Sequence, residues 1–551
     1  MISSLKYPTI CLVTVLSLFS NHCLFAGQIA LTGVNLVSIE QQKILNGMTI
    51  IMEDKRIKEI VKSDRYKPGK DVVVVNLKDK FVIPGLIDGH VHHATDPEAW
   101  DDMDTTLPRL QNLLRGGVTS VRDMGGDVRV LTYLKRQAQL DLIQSPDIYY
   151  SVIIGGPEFF SDPRTIASAK GHKSGTTVWM RSVTASSDFD AVALEAKGAG
   201  ATGLKIYADV PASIIKSLSA AGKKHGLKVW GHTFVGPDKP SESVIDGLEV
   251  MSHISDFSGE HISDFKSWRR KKGKVSETEL NKAYQPESYT QLIDSLKKEN
   301  VILDATLLVF QQRMHTSDTR KHLYKLATMF THLAHKAGIE ISAGTDAFSD
   351  DRNPHPRIYD ELDLLVNDGG LTPIEALKAA TLSNARVLGI QNDYGSVSAG
   401  KVANLVVLDE NPIEDVKAIR TVSHVIKNGD FVYRGDNPSL PFSSAKRVGE
   451  TLWMSGQIGN LPGTMVLAGD SIEVQMTQTM KNIGSVLLEH GLTYKDVTKC
   501  TLMLADINDW KQASDVYRKF FKSPLPTRSA FATTGLALGS KLEVECIAHF
   551  I

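Results

Sequence analysis

From Phe81 to Asp346 the chain repeats one rhythm eight times: a short, almost wholly apolar run, then a stretch of helical pattern. The runs are the segment ending in "PGLIDGHVHH" (84–93), then "VTSVRD" (118–123), "DIYYSVII" (147–154), "TGLKIY" (202–207), "LKVWGH" (227–232), "LEVMSH" (248–253), "VILDAT" (301–306) and "IEISAGTD" (339–346). Stretches such as "PASIIKSLSAAGKKHG" and "SYTQLIDSLKKEN" lie between them. Strands that are apolar throughout, rather than at every second residue, are buried on both faces, as in a parallel sheet covered by helices. Eight such units are the number that closes a parallel barrel, so the chain is predicted to be α/β, a (β/α)8 TIM barrel.

The flanks read differently. "MTIIMEDKRIKEI" and "DVVVVNL" alternate β-branched runs with turn residues, and "GSVSAGKVANLVVLDENP" and "VSHVIKNGDFVYRGD" return to that pattern after the last helix. They predict one small β-sandwich domain built from residues 27–80 and 395–437 around a barrel at 81–394. "DNPSLPFSSA" (436–445) reads as a linker into a last α+β unit, 438–551. The basic segment "FKSWRRKKGKVSETELNK" (265–282) fits none of the eight units and is expected as a solvated insertion in a β/α loop.

With 62 Lys plus Arg against 63 Asp plus Glu there is no global field to gather a polyanion, which argues against nucleic acid as a partner. At the start, Lys6, the apolar run Ile10–Phe19 and Ala26-Gly27 have the layout of a secretory signal peptide over residues 1–26. That run is too short to span a bilayer comfortably, so the expectation is an exported protein, periplasmic or secreted, without stable membrane insertion. Asn21 and His22 before Cys23 are not the small residues of a lipoprotein cleavage site. Cys500 and Cys546, left in the mature chain, sit in apolar strand-like segments and are expected as inert buried thiols.

In such a barrel, reactive groups come from the C-terminal ends of different strands, where loops open a mouth. His90 and His92, two residues apart and so on one face of a strand, stand there with Lys205, His232, His253 and Asp346. Singly, each has an ordinary explanation as a core imidazole, a surface lysine or a turn cap. Their coincidence on five strand ends points to metal chemistry, because imidazole and carboxylate are donors suited to zinc and its neighbours. Tyr207 shares the face of Lys205 and is a candidate for substrate contact, as are His172 and Arg181.

"PGLIDGHVHH", "GLKIYAD", "VWGH", "MSH", "SAGTDA" and "GSVSAGKVANLVVLD" together resemble the amidohydrolase superfamily over about residues 28–435. The likeness is greatest to the imidazolonepropionase-related group, which includes metal-dependent dipeptidases acting on Xaa-Pro and similar bonds. "TSVRDMGG" (119–126) and "GHKSG" (171–175) are similar to segments of that group. The resemblance implies two divalent metal ions, expected as zinc, with His90, His92 and Asp346 on one and His232 and His253 on the other. Lys205, as N6-carboxylysine, would bridge them. It further implies hydrolysis of a C–N amide bond, in a dipeptide or a cyclic amide, by a metal-bridged hydroxide, with Asp346 as general base turned acid and His172 and Tyr207 binding substrate. Asn404 stands where the family pattern has aspartate, away from these residues.

"GETLWMSGQIG", "QTMKNIGSVLLEHGLTYKDVTKCTLMLADINDW" and "LPTRSAFATTGLALGSKLEVECIAHFI" resemble the RidA family of imine and enamine deaminases, whose small subunits form trimers with active sites between them. The resemblance implies that Arg528 holds the carboxylate of a 2-imino acid, that Glu543 activates the attacking water, and that the chain is a homo-oligomer, trimeric through this unit. Phe442 and Ala530 replace the tyrosine and cysteine many members carry. Without the resemblance the residues also leave open a non-catalytic binding protein with a trimerising C-terminal module.

Overall fold

A computed structural model describes residues 28–69, 72–92, 102–244, 247–347, 355–434, 441–461 and 465–550. The leader read at 1–26, with Cys11 and Cys23, and also His93, lie outside these residues.

Eight parallel strands form the barrel: β1 (Leu86–Val91), β2 (Val118–Asp123), β3 (Asp147–Gly155), β4 (Gly203–Ile206), β5 (Lys228–His232), β6 (Val250–Ser252), β7 (Ile302–Asp304) and β8 (Ile341–Ser342). Each pairs with the next in chain order. Every residue of β1, β2 and β4 is buried, which is why these segments lack two-residue alternation. The helices carry the complementary pattern. Ala212–Lys224, between β4 and β5, buries Ile214, Leu218 and Ala221, the i, i+4, i+7 stripe of one face.

Between β8 and β1 the closure has a different form. Gly89 donates its amide to Ala343 O at 2.9 Å, and the Asp346 amide donates to His90 O at 2.8 Å. Side chains supply the rest of this seam: Asn384 Nδ2 donates to Ile87 O at 2.6 Å and to Ala343 O at 2.7 Å, and Asp88 accepts from the Thr345 hydroxyl at 2.9 Å and amide at 3.1 Å. The approach is too close for a larger residue, since a Cβ on Gly89 would lie 2.3 Å from Asn384 Oδ1.

Both flanks build a single eight-stranded sheet. Gln28–Ser38, Lys43–Glu53, Arg56–Lys62, Val72–Asn76 and Phe81–Pro84 precede the barrel; Leu405–Leu408, Val422–Lys427 and Asp430–Arg434 follow it. The two halves join where Phe81–Pro84 runs antiparallel to Leu405–Leu408.

The C-terminal unit is a six-stranded sheet with the helices Ile472–Glu489 and Trp510–Tyr517. Met476, Met480 and Ile483 of the long helix pack with Leu502 and Val544 of the sheet. Residues pointing the other way, Val448, Trp453 and Phe531, are exposed. The long helix leans on the flanking sheet through Lys481–Asp430 at 2.9 Å and Ser485 Oγ donating to Val432 O at 3.3 Å, while Arg115 donates to Glu489 O at 2.6 Å.

Two expectations are corrected. Cys500 and Cys546 are not free thiols but a disulfide, because antiparallel pairing of Val497–Leu504 with Leu542–His549 sets them directly opposite, Cα atoms 4.1 Å apart. Register across 46 residues is invisible to local pattern. The 265–282 insertion does lie between β6 and β7, but it is not wholly solvated: Phe265 and Trp268 are buried, Lys266 pairs with Asp209 at 2.5 Å and Arg269 with Asp256 at 3.1 Å. Among the described residues no helix is long and apolar enough to cross a membrane.

Candidate active site

Because all eight strands point one way, their C-terminal ends share a mouth, and six side chains meet there. His90 Nε2 lies 3.5 Å and His92 Nε2 3.2 Å from Asp346 Oδ1, and His253 Nδ1 lies 3.8 Å from Asp346 Oδ2. Lys205 Nζ is 3.2 Å from His90 Nε2. The rings of His90 and His253 are centred 5.1 Å apart, and those of His232 and His253 4.7 Å apart. Tyr207 stacks on Phe159 at 4.5 Å and tilts against His232 at 4.1 Å.

Three backbone positions in this region carry strain. His253 (φ 69°), Thr306 (φ 50°) and Asp346 (φ 44°) adopt the left-handed conformation without being glycine. Such positions cost on the order of 1–3 kcal/mol each and persist only where surrounding contacts over-determine them.

Those contacts come from residues that strand-end reasoning passed over. Asp304, fully buried at the end of β7, accepts from His90 Nδ1 at 2.8 Å, from the Ser252 hydroxyl at 2.7 Å and from Arg122 at 2.9 Å. Arg122, equally buried on β2, also donates to Gly89 O and lies over the Trp230 ring. Thr306 Oγ1 is 3.0 Å from His253 Nδ1. A signal for Asp304 and Arg122 existed: they are charged residues inside the otherwise apolar runs "VILDAT" and "VTSVRD".

Burial governs the protonation states. It presses the His90 imidazole down to about 4, with Lys205 adding to the effect, and holds His232 and His253 well below their ordinary value. All three rings are therefore neutral near pH 7, with a lone pair to give. Burial alone would raise the Asp346 carboxyl, but the imidazoles of His90, His92 and His253 together hold it well below the usual carboxylate range. Desolvation brings the Lys205 ammonium down to about 8, so about a tenth of it is the free amine at pH 7. Around Asp304, too, burial is overcome, by His90, Arg122 and Ser252, and the carboxyl stays ionised.

Neutral imidazoles around an ionised carboxylate form a donor set that fits a divalent cation. The atoms of His90, His92 and Asp346 that would hold one lie within 4.8 Å of one another. His232 and His253 would hold a second beside Lys205.

The remaining candidates are placed unequally. Tyr207 borders the cluster. His172 is exposed with its ring edge-on to Trp179 at 6.0 Å, and Arg181 is turned to Glu195; neither joins the cluster. In the C-terminal unit, Arg528 pairs in register with Cys500 and so lies on the helix-covered face, over the rings of Trp510 and Tyr517 at 5.4 and 5.1 Å. Glu543 is an odd number of residues from Cys546 on the same strand and lies on the opposite, open face. Burial and Glu545 raise its pKa. One chain therefore does not bring Arg528 and Glu543 together. Phe442 is exposed and Ala530 half-buried.

Comparison with known proteins agrees with both parts. The family model described as "Amidohydrolase family" matches residues 81–432, and that described as "Endoribonuclease L-PSP" matches residues 435–550. Over 108 residues, 20% of this chain, the sequence is 37% identical to human 2-iminobutanoate/2-iminopropanoate deaminase, spanning 79% of that protein. It is 39% identical over 108 residues to the chloroplastic Reactive Intermediate Deaminase A of Arabidopsis thaliana, spanning 58% of that protein's length. A crystal structure of a Xaa-Pro dipeptidase with methionine in its active site superposes with a TM-score of 0.58 at 18% identity, covering 74% of this chain and 100% of the other. Molinate hydrolase superposes with a TM-score of 0.58 at 19% identity, covering 77% and 99%. At these identities the structural likeness is one of fold.

Proposed function

The chain belongs to the amidohydrolase family, with a C-terminal unit of the RidA family, and from that premise we propose that it is an exported, metal-dependent hydrolase that opens a C–N amide bond. The substrate is a dipeptide or a cyclic amide. The observation that carries this reading is the convergence of His90, His92, Lys205, His232, His253 and Asp346 from five strands on one mouth, with the imidazoles neutral and the carboxylate ionised.

Divalent ions held there would supply a water acidic enough to attack at neutral pH and would polarise the carbonyl. The chain's own groups do the rest. Asp346 takes the proton of the attacking water and passes it to the leaving nitrogen, so that carboxylate and amine separate. Asp304, through His90 Nδ1, fixes which nitrogen of that ring faces the mouth. The deprotonated Lys205 amine can add to carbon dioxide, forming an N–C bond as one C=O π bond opens and the nitrogen loses a proton; the carbamate would put anionic oxygens beside His90 where the ammonium puts a cation. Tyr207 offers its hydroxyl to the substrate beside His232.

For the C-terminal unit, Arg528 as carboxylate holder and Glu543 as water activator need two copies of the chain, which supports a trimer with sites between subunits. Hydrolysis of an enamide in the barrel would release an enamine, and the second site would convert its imine with water to a ketone and ammonia. Export is supported by the leader-like residues 1–26 and by the Cys500–Cys546 disulfide, which suits an oxidising compartment.

Metal analysis of the purified protein, followed by dipeptides, N-acyl amino acids and cyclic amides assayed before and after chelation, tests the reading. Native protein devoid of metal and indifferent to chelator overturns it. For Lys205, labelled bicarbonate should give a carbamate carbon signal that a Lys205→Ala variant lacks.

A further inference from the structure

We propose that Glu361 is a positioning residue for the second metal half-site, setting the orientation of His253 through Thr306. This rests on the two-metal reading above. Glu361 lies on the helix Ile358–Asn367 and is completely buried. Its two carboxylate oxygens accept the consecutive amides of Leu307 and Leu308, at 2.9 and 2.7 Å. Those amides belong to the first turn of the helix Leu307–Arg313, which begins immediately after Thr306. Thr306 is fully buried and left-handed, a conformation a β-branched residue adopts only under constraint, and its hydroxyl oxygen lies 3.0 Å from His253 Nδ1.

The arrangement forms a chain of cause. Glu361 clamps the turn; the clamped turn holds Thr306 in its strained conformation; Thr306 Oγ1 stands 3.0 Å from His253 Nδ1, in place to receive its proton. A ring whose Nδ1 proton is engaged presents its Nε2 lone pair. His253 is itself left-handed, so its backbone does not set the ring's direction by an ordinary strand geometry. The same five residues, Asp304 to Leu308, also hold His90 Nδ1 through Asp304. Asp304 has independent partners in Arg122 and Ser252, whereas Glu361 is the side chain that receives the two amides after Thr306. The clamp therefore acts chiefly on the His253 side.

The test measures metal stoichiometry and affinity by graded chelation of the full-length protein, with circular dichroism as a check of fold. Glu361→Gln keeps shape but can accept only one of the two amides, and Thr306→Val removes the hydroxyl at constant size. Wild type should hold two ions. Each variant should weaken one of them about tenfold and leave the other within a factor of about two. The double variant should be no weaker than the worse single, because both changes cut the same chain. Glu361→Asp, which keeps the charge and shortens the reach, serves the same comparison if Glu361→Gln does not fold. Unchanged affinities, equal weakening of both ions, or multiplicative losses in the double variant would overturn the positioning role. A wild type without metal would instead overturn the hydrolase reading on which it stands.

Discussion

The barrel mouth and the C-terminal unit hold similar kinds of chemistry in opposite ways. In the barrel, residues as far apart as His90 and Asp346 come within 3.5 Å because parallel strands all deliver their last residues to one rim. In the C-terminal unit, Arg528 and Glu543 are only fifteen positions apart, yet the strands on either side of Val497–Leu504 present them on opposite faces of an open sheet. A closed parallel barrel gathers its candidate site from one chain; in the proposed assembly a second copy supplies the side that the open sheet lacks. The two activities are thus expected to differ in their dependence on assembly, metal and pH.

The largest effect should come from Asp346→Asn, which leaves the proton of the attacking water without an acceptor. Amide hydrolysis should fall about 10³-fold in kcat while imine hydrolysis, followed as ammonia release, stays unchanged; a parallel fall in both would break the separation. Next comes the pH response of the metal-free barrel. His90, His232 and His253 are held below the ordinary value of 6.5, so the unfolded chain binds protons that the folded chain refuses. From these rings, stability present above pH 6.5 should be lost as pH falls towards about 4, by about 3 kcal/mol from His90 alone, against an opposite contribution from the buried Asp88 carboxyl, which burial raises to about 7. A His90→Asn variant whose stability follows pH as the wild type's does over that window would sink this account.

Arg528→Ala should lower imine turnover about 10²-fold in kcat/KM, the worth of a charge-assisted pair, and leave amide hydrolysis intact. Wild-type and variant protein with equal ammonia release would remove the deaminase role from the C-terminal unit. The smallest effect distinguishes one-chain from shared sites. Trp453, 53% exposed on the open sheet face, should be covered on assembly. Trp453→Glu should cost about tenfold in imine turnover at low protein concentration, with amide hydrolysis unchanged, and sedimentation should show smaller particles. A monomer with full imine activity would contradict the shared site.

Much of the barrel was legible because its signal is local. Short apolar runs marked β1 to β8, and ligand-type side chains at or near the ends of five of them marked the six residues of the site, without knowledge of any contact. The supports of that cluster were less legible. Asp304 and Arg122 could have been suspected as charges in apolar strands. Glu361 and Asn384 could not, because a carboxylate in "IYDELDLLVN" and an amide in "TLSNARVLG" look like ordinary polar helix positions until packing buries them. His172 and Arg181 show the converse: residue type suggested a role, but the path of the chain between β3 and β4 turns them to Trp179 and Glu195.

By itself the sequence determined the class of fold and the strand ends that carry chemistry, since alternation, apolarity and two-residue spacing are properties of neighbours along the chain. Only the tertiary structure decided that Cys500 faces Cys546, that Arg528 and Glu543 part to opposite faces, and that Asp304 and Glu361 brace the two imidazoles. Each of these depends on which strands lie side by side and in what register, and that is settled by how the whole set of apolar surfaces packs at once.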